Sequence, residues 1–180
     1  MFVSVPDEKL ELVKSLLSDL SRSGGIEILY DERSKNFIVD PKNQNPYQAL
    51  KTVSVINALG LGVPVSDAFK LIGEEYILDV IDLKQLSHDK AVMSRIKGRI
   101  IGEGGKTKRI IQEYTGVTIV VSDHHVALIG TYEQIPIAKK ALELILKGKE
   151  HSTVYRYLDK AEEELVRYRS SLRREKLGLT

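Results

Sequence analysis

Six cations and one acid crowd into residues 95–109: Arg95, Lys97, Arg99, Lys106, Lys108 and Arg109, with Glu103 among them. Four glycines, Gly98, Gly102, Gly104 and Gly105, fall in the same stretch. Glycine admits backbone conformations and close approaches that a β-carbon forbids. A helix restarting near Lys106 would add its free N–H groups and the positive end of its dipole. This chemistry is phosphate binding. Gly105-Lys106-Thr107 matches the end of a nucleotide-binding P-loop, but that loop needs a glycine at position 100, where this chain has Ile100. A P-loop also follows directly on a strand, whereas residues 88–97 carry a helical pattern.

The surrounding elements must hold that loop in place. Tyr76 to Leu83 alternates and is rich in branched residues, so it reads as a strand. A helix over about 88–97 follows, and the glycines from Gly98 onward are expected to end it, at about 1 kcal/mol each inside a helix. A second helix runs from Lys106 to Thr115, where Gly116 is a natural stop. Val117 to Val121 is a strand, Ser122 to His124 a turn, and His125 to Ile129 a strand that Gly130 is expected to break. Ile135, Ala138, Leu142 and Ile145 then mark an amphipathic helix. The first half repeats this plan without the loop. A strand over Phe2–Val5 and a helix striped by Leu10, Val13, Leu17 and Leu20 come first. Strands near 25–30 and 37–39 and a helix opened by Pro46 complete the copy. Where the loop would stand, Leu12-Val13-Lys14-Ser15-Leu16 continues an unbroken helical pattern. A last helix over about 152–174 carries an apolar seam of Val154, Leu158, Ala161, Leu165, Tyr168 and Leu172.

The charge is divided along the chain. Residues 1–90 hold 10 Lys+Arg against 14 Asp+Glu, and residues 91–180 hold 17 against 11, although the whole sums to only +2. A basic block beside an acidic half suggests a localised polyanion site. With no cysteine in 180 residues, disulfides, thiolate metal sites and cysteine nucleophiles are excluded. No apolar run is long enough to span a membrane and no signal peptide opens the chain, so a cytoplasmic protein is expected. No catalytic or metal constellation is found: Asp79 and Asp82 sit three apart on a strand and face opposite sides, and Glu162-Glu163-Glu164 reads as a solvated helix face. No cofactor is expected.

Ile100-Ile101-Gly102-Glu103-Gly104-Gly105-Lys106, with Ile110-Ile111 and the strand–turn–strand–helix after it, resembles a KH module of type I order. The resemblance runs from about Tyr76 to Lys147. It implies an α+β chain of two tandem KH-like domains, each a three-stranded sheet packed with helices, plus a long C-terminal helix. The expected boundaries are 1–74 for a degenerate copy without the Gly-x-x-Gly loop and 75–180 for the complete one. KH modules clamp about four nucleotides of single strand. The resemblance places RNA on Gly102, Glu103, Gly104, Gly105, Lys106, Lys108, Arg109, Arg95, Lys97 and Arg99, over a floor of Ile100, Ile101 and Ile119. Glu103 departs from the commonest pattern, which is basic within the turn. Replacing Gly102 and Gly105 by Asp is expected to remove RNA binding and spare the fold.

The tandem arrangement, Lys97-Gly98-Arg99-Ile100-Ile101-Gly102 and the later Gly148 with Thr153-Val154-Tyr155 resemble the partner-of-NOB family of small-subunit ribosome-assembly factors, in its short archaeal form. The KRR proteins are the nearest confusable relatives. The resemblance implies a non-catalytic protein that binds single-stranded small-subunit rRNA near its 3′ end and works with the NOB endonuclease. Charge and periodicity alone support only a single-stranded RNA binder, with a protein-interaction scaffold as a compatible added role.

Overall fold

The computed structural model describes residues 1–41 and 45–178. The chain runs β1 (Phe2–Val3), α1 (Asp7–Ser15), α2 (Leu17–Gly24), β2 (Glu27–Asp31), β3 (Asn36–Asp40) and α3 (Pro46–Gly60). After a short α4 (Val65–Phe69) the same order returns as β4 (Tyr76–Asp82), α5 (Lys90–Ile101), α6 (Lys106–Thr115), β5 (Thr118–Val121), β6 (His125–Thr131) and α7 (Gln134–Leu146). A long α8 (His151–Lys176) closes the described chain. The fold is α+β. Its two three-stranded sheets are ordered β1-β3-β2 and β4-β6-β5, so the third strand is central in both.

Two compact units emerge: Met1–Asp82 with Val120–Ile129, and Leu83–Ile119 with Gly130–Thr180. In the first, β2 and β3 pair antiparallel with Ile28 opposite Val39 and Tyr30 opposite Phe37, all on the core side, Tyr30 half-buried against the core and its ring 4.9 Å from that of Phe37. The turn between them is held by Asp31, whose carboxylate accepts from Ser34 Oγ (2.7 Å) and the Arg33 N–H (3.0 Å). These bonds favour the charged form and hold its pKa below the ordinary carboxylate value. Helix α3 starts where Asn45 accepts from the Gln48 N–H, with Pro46 in the first turn. Ala49, Val55, Ile56 and Leu59 of α3 are fully buried, in one core with Phe37, Val39, Ala127 and Ile129. Lys51 is buried in the same helix. Its ammonium donates to the carbonyls of Gly73 (3.0 Å) and Tyr76 (2.6 Å), which pins the entry to β4.

The second unit is a helical layer in which α5 packs on α6 and α7, and α8 packs on α6 and α7. Val154, Leu158, Ala161 and Leu165 of the expected seam bury one face of α8, whereas Tyr168 is exposed and Leu172 half-buried. Asp89 caps α5 by accepting from the N–H groups of Ala91 (2.7 Å) and Val92 (3.0 Å).

Three local expectations are corrected. The helix of the first copy is not unbroken: Leu16, at φ −97° and ψ −1°, separates α1 from α2. Helix α5 does not end at Gly98 but continues to Ile101. Burial of Ile100 outweighs the propensity cost of one glycine. Gly130 does not end β6, which runs on to Thr131, where the backbone N–H finds Gln134 Oε1 at 2.9 Å.

Candidate nucleic-acid interface

Helix α5 closes when the Gly102 N–H donates to Gly98 O at 2.8 Å. Gly102 then turns to φ 75° and ψ 173°, a region only glycine occupies readily. A β-carbon there would lie 2.2 Å from Thr107 Oγ1 and 2.8 Å from the Thr107 nitrogen. Glu103–Gly105 form a single tight turn, with the Gly105 N–H donating to Gly102 O at 3.2 Å. Gly104 (φ 56°) and Gly105 (φ 77°) are left-handed, and a β-carbon on either would meet nothing within 4 Å. The backbone of these two residues is thus bare on its outer side. Helix α6 begins at Lys106 without a side-chain cap. The N–H groups of its first turn have no acceptors within the helix, so they suit an anion.

Thr107 anchors this turn from inside. It is 2% exposed, and its hydroxyl lies 3.3 Å from the Tyr155 hydroxyl of α8. The start of α8 makes two further ties. Arg99 Nη2 donates to Lys149 O at 2.6 Å, and His151 Nε2 lies 3.2 Å from Arg99 O. A third link joins α6 to α8 through a Tyr114–Asp159 hydrogen bond, which raises the phenol pKa above its ordinary value. Sequence reasoning missed Thr107 and Tyr155 as loop supports; their only signal was the motif around Gly148 and Tyr155.

The predicted site residues separate into groups. Glu103, Gly104, Lys106 and Arg109 are exposed, and Gly102, Gly105 and Lys108 are half-buried. Lys106 and Arg109 are three apart on α6 and share a face, whereas Lys108 points away from Lys106. Arg109 Nε is 3.9 Å from the Glu113 carboxylate, an exposed pair of little strength. On α5, Arg95 is exposed and shares a face with Arg99, four residues on; Lys97 falls on the opposite side and is half-buried. Arg99 is already engaged with the Lys149 carbonyl. Ile100 and Ile119 are each 1% exposed and belong to the core, while Ile101 keeps 37% of its surface. Ile119 is fixed by its N–H bond to Gln112 Oε1 at 2.8 Å. Among the described residues, no cluster of three or more His, Asp or Glu could hold a metal ion, and no helix is long and apolar enough to cross a membrane.

Comparison with known proteins falls on the same elements. A model of the second PNO1 KH domain, described as a eukaryotic type KH-domain (KH-domain type I), matches residues 77–163. The chain is 34% identical over 135 residues to a KH domain-containing protein of Methanocaldococcus jannaschii, covering 75% of this chain and 60% of that protein. It spans about half the length of other curated relatives, which are named RNA-binding proteins. Dim2p from Pyrococcus horikoshii superposes with a TM-score of 0.79 at 30% identity, covering 89% of this chain and 98% of that one. A chain from the a/eIF2alpha–aDim2p–rRNA complex of the same organism gives 0.79 at 28% identity, over 91% and 94% of the two chains. With a KH model on the second repeat and Dim2p matched over nearly its whole length, the chain belongs to the partner-of-NOB family of KH proteins, the family of archaeal Dim2p and PNO1.

Proposed function

We propose that this chain is a non-catalytic RNA-binding factor of pre-rRNA processing. In this reading it binds single-stranded small-subunit rRNA near its 3′ end, through the loop of the second repeat. One observation carries the proposal: the bare backbone of Gly104 and Gly105 stands immediately before an uncapped helix start flanked by Lys106 and Arg109. Phosphates fit against that backbone, and the exposed face of Ile101 is available to bases. Ile100 and Ile119 support the floor from beneath. The presence of rRNA in a complex of a family member supports the same reading. The first repeat has no comparable loop, since a right-handed Leu16 stands between α1 and α2. It serves as scaffold.

The test is the Gly104→Asp variant. Aspartate tolerates the left-handed backbone and has open space here, so the fold is retained while a negative charge enters the phosphate path. RNA affinity should fall by at least about tenfold with the melting temperature nearly unchanged; unchanged affinity contradicts the assignment. If four to six phosphates are neutralised, the unmodified chain should bind about 50- to 300-fold more weakly at 200 mM than at 50 mM salt. Cooperation with a NOB-type endonuclease belongs to the same proposal. Capture of that nuclease by the full chain, with or without RNA, tests it, and failure in both conditions removes that part.

A further inference from the structure

Beyond Leu165, α8 leaves the core. Val166 is 56% and Tyr168 47% exposed, and of residues 166–176 only Leu172 is half-buried. Charge changes sign at the same place. Residues 150–165 hold five acids and two bases, whereas residues 166–178 hold Arg167, Arg169, Arg173, Arg174 and Lys176 against Glu175 alone. The helix dipole favours cations in the last turn, which accounts for Arg173, Arg174 and Lys176. It does not reach back to Arg167 and Arg169. Arg169 shares its field with Glu133, and Arg167, Arg173, Arg174 and Lys176 are all exposed.

The other end of this helix is fastened behind the glycine loop by the Arg99–Lys149, His151–Arg99 and Tyr155–Thr107 contacts. At 1.5 Å per residue, the axis carries Arg173 about 27 Å from Tyr155. That is about eight nucleotides at the 3.4 Å spacing of one strand of a duplex, well beyond the four or so that a KH loop clamps.

We propose that the basic end of α8 is a second RNA contact, which takes backbone phosphates of the strand flanking the clamped nucleotides and reads no bases. The proposal rests on the RNA-binding reading of the loop. Charge complementarity selects a polyanion: the three helical turns from Val166 on, exposed at every residue but the half-buried Leu172, carry five cations and one acid. A contact of this kind depends on charge rather than on bidentate geometry, so lysine should replace arginine without loss.

The experiment compares the full chain with its Arg173→Glu/Arg174→Glu and Arg173→Lys/Arg174→Lys variants. Each is titrated with a tetranucleotide and with an unstructured RNA of roughly twenty nucleotides. The glutamate variant should lose about tenfold on the long RNA and nothing on the tetranucleotide, with the salt slope lowered by about 1.4 for two phosphates. The lysine variant should bind both as the parent does. Equal affinity of parent and glutamate variant for the long RNA overturns the second contact while leaving the loop assignment intact. A parent that binds neither RNA overturns both.

Discussion

Thr107 occupies the space that a side chain on Gly102 would need: a β-carbon there would lie 2.2 Å from Thr107 Oγ1 and 2.8 Å from its backbone nitrogen. Loop and helix start are therefore one packed object, and Thr107 is in turn held by Tyr155. The glycines of the turn are not equivalent. Gly102 serves the fold, while Gly104 and Gly105 leave the outer side open. This corrects the expectation that Gly102 can be replaced by aspartate with the fold spared.

Gly102→Ala should lower stability by about 2 kcal/mol or more, from an unfavourable backbone region together with a clash against backbone. Gly104→Asn should cost less than about 1 kcal/mol, because asparagine tolerates left-handed dihedrals and the space is empty. Paired urea denaturation of the two variants checks the order. Equal losses would contradict the division of roles.

Tyr155→Phe removes the hydroxyl that meets Thr107 and leaves a buried threonine oxygen without that partner. A loss of about 0.5–1.5 kcal/mol is expected. Hydrogen exchange of the Gly105 amide should quicken at the same time, since that amide bonds Gly102 O within the supported turn. Loss of stability with unchanged loop exchange would show that Tyr155 only packs.

Lys51→Met keeps the apolar stem and deletes the ammonium that bonds the carbonyls of Gly73 and Tyr76. Each carbonyl then loses a charged donor, for a cost of about 1–3 kcal/mol in thermal denaturation. A neutral result would mean that water replaces the ammonium.

Asp31 predicts a pH effect. Its folded pKa is depressed, first by the Ser34 hydroxyl and then by the Arg33 N–H, so its contribution is present above the ordinary carboxylate pKa of 3.8. It is lost as the pH falls from that value through the lowered one. Asp31→Asn should therefore be less stable than the parent at neutral pH, with the gap closing under acid. A gap that stays constant from neutral pH to about pH 2 would contradict the assignment.

Much of this was legible in the residues. Gly102 to Lys106 marked the loop, Gly116 the end of α6, and the steps from Val154 to Leu165 the buried face of α8. These signals are local: a glycine at a turn or an apolar step of three and four. What escaped depends on tertiary contact. Nothing near Gly98 says that Ile100 will be buried deeply enough to carry the helix past it. The hydrogen bond from Arg99 to the Lys149 carbonyl joins residues fifty apart, which no local pattern reveals. Tyr168 continued the apolar period of α8, but period alone does not reveal where the packing partner ends.

RNA binding at the second repeat's loop can be read by a backbone amide NMR titration of the full chain with single-stranded RNA from the small-subunit 3′ end. The largest shift changes should fall on Gly104, Gly105, Lys106 and Thr107, with residues 7–24 of the first repeat unmoved. Changes confined to residues 7–40, or none at the loop at saturating RNA, would contradict it.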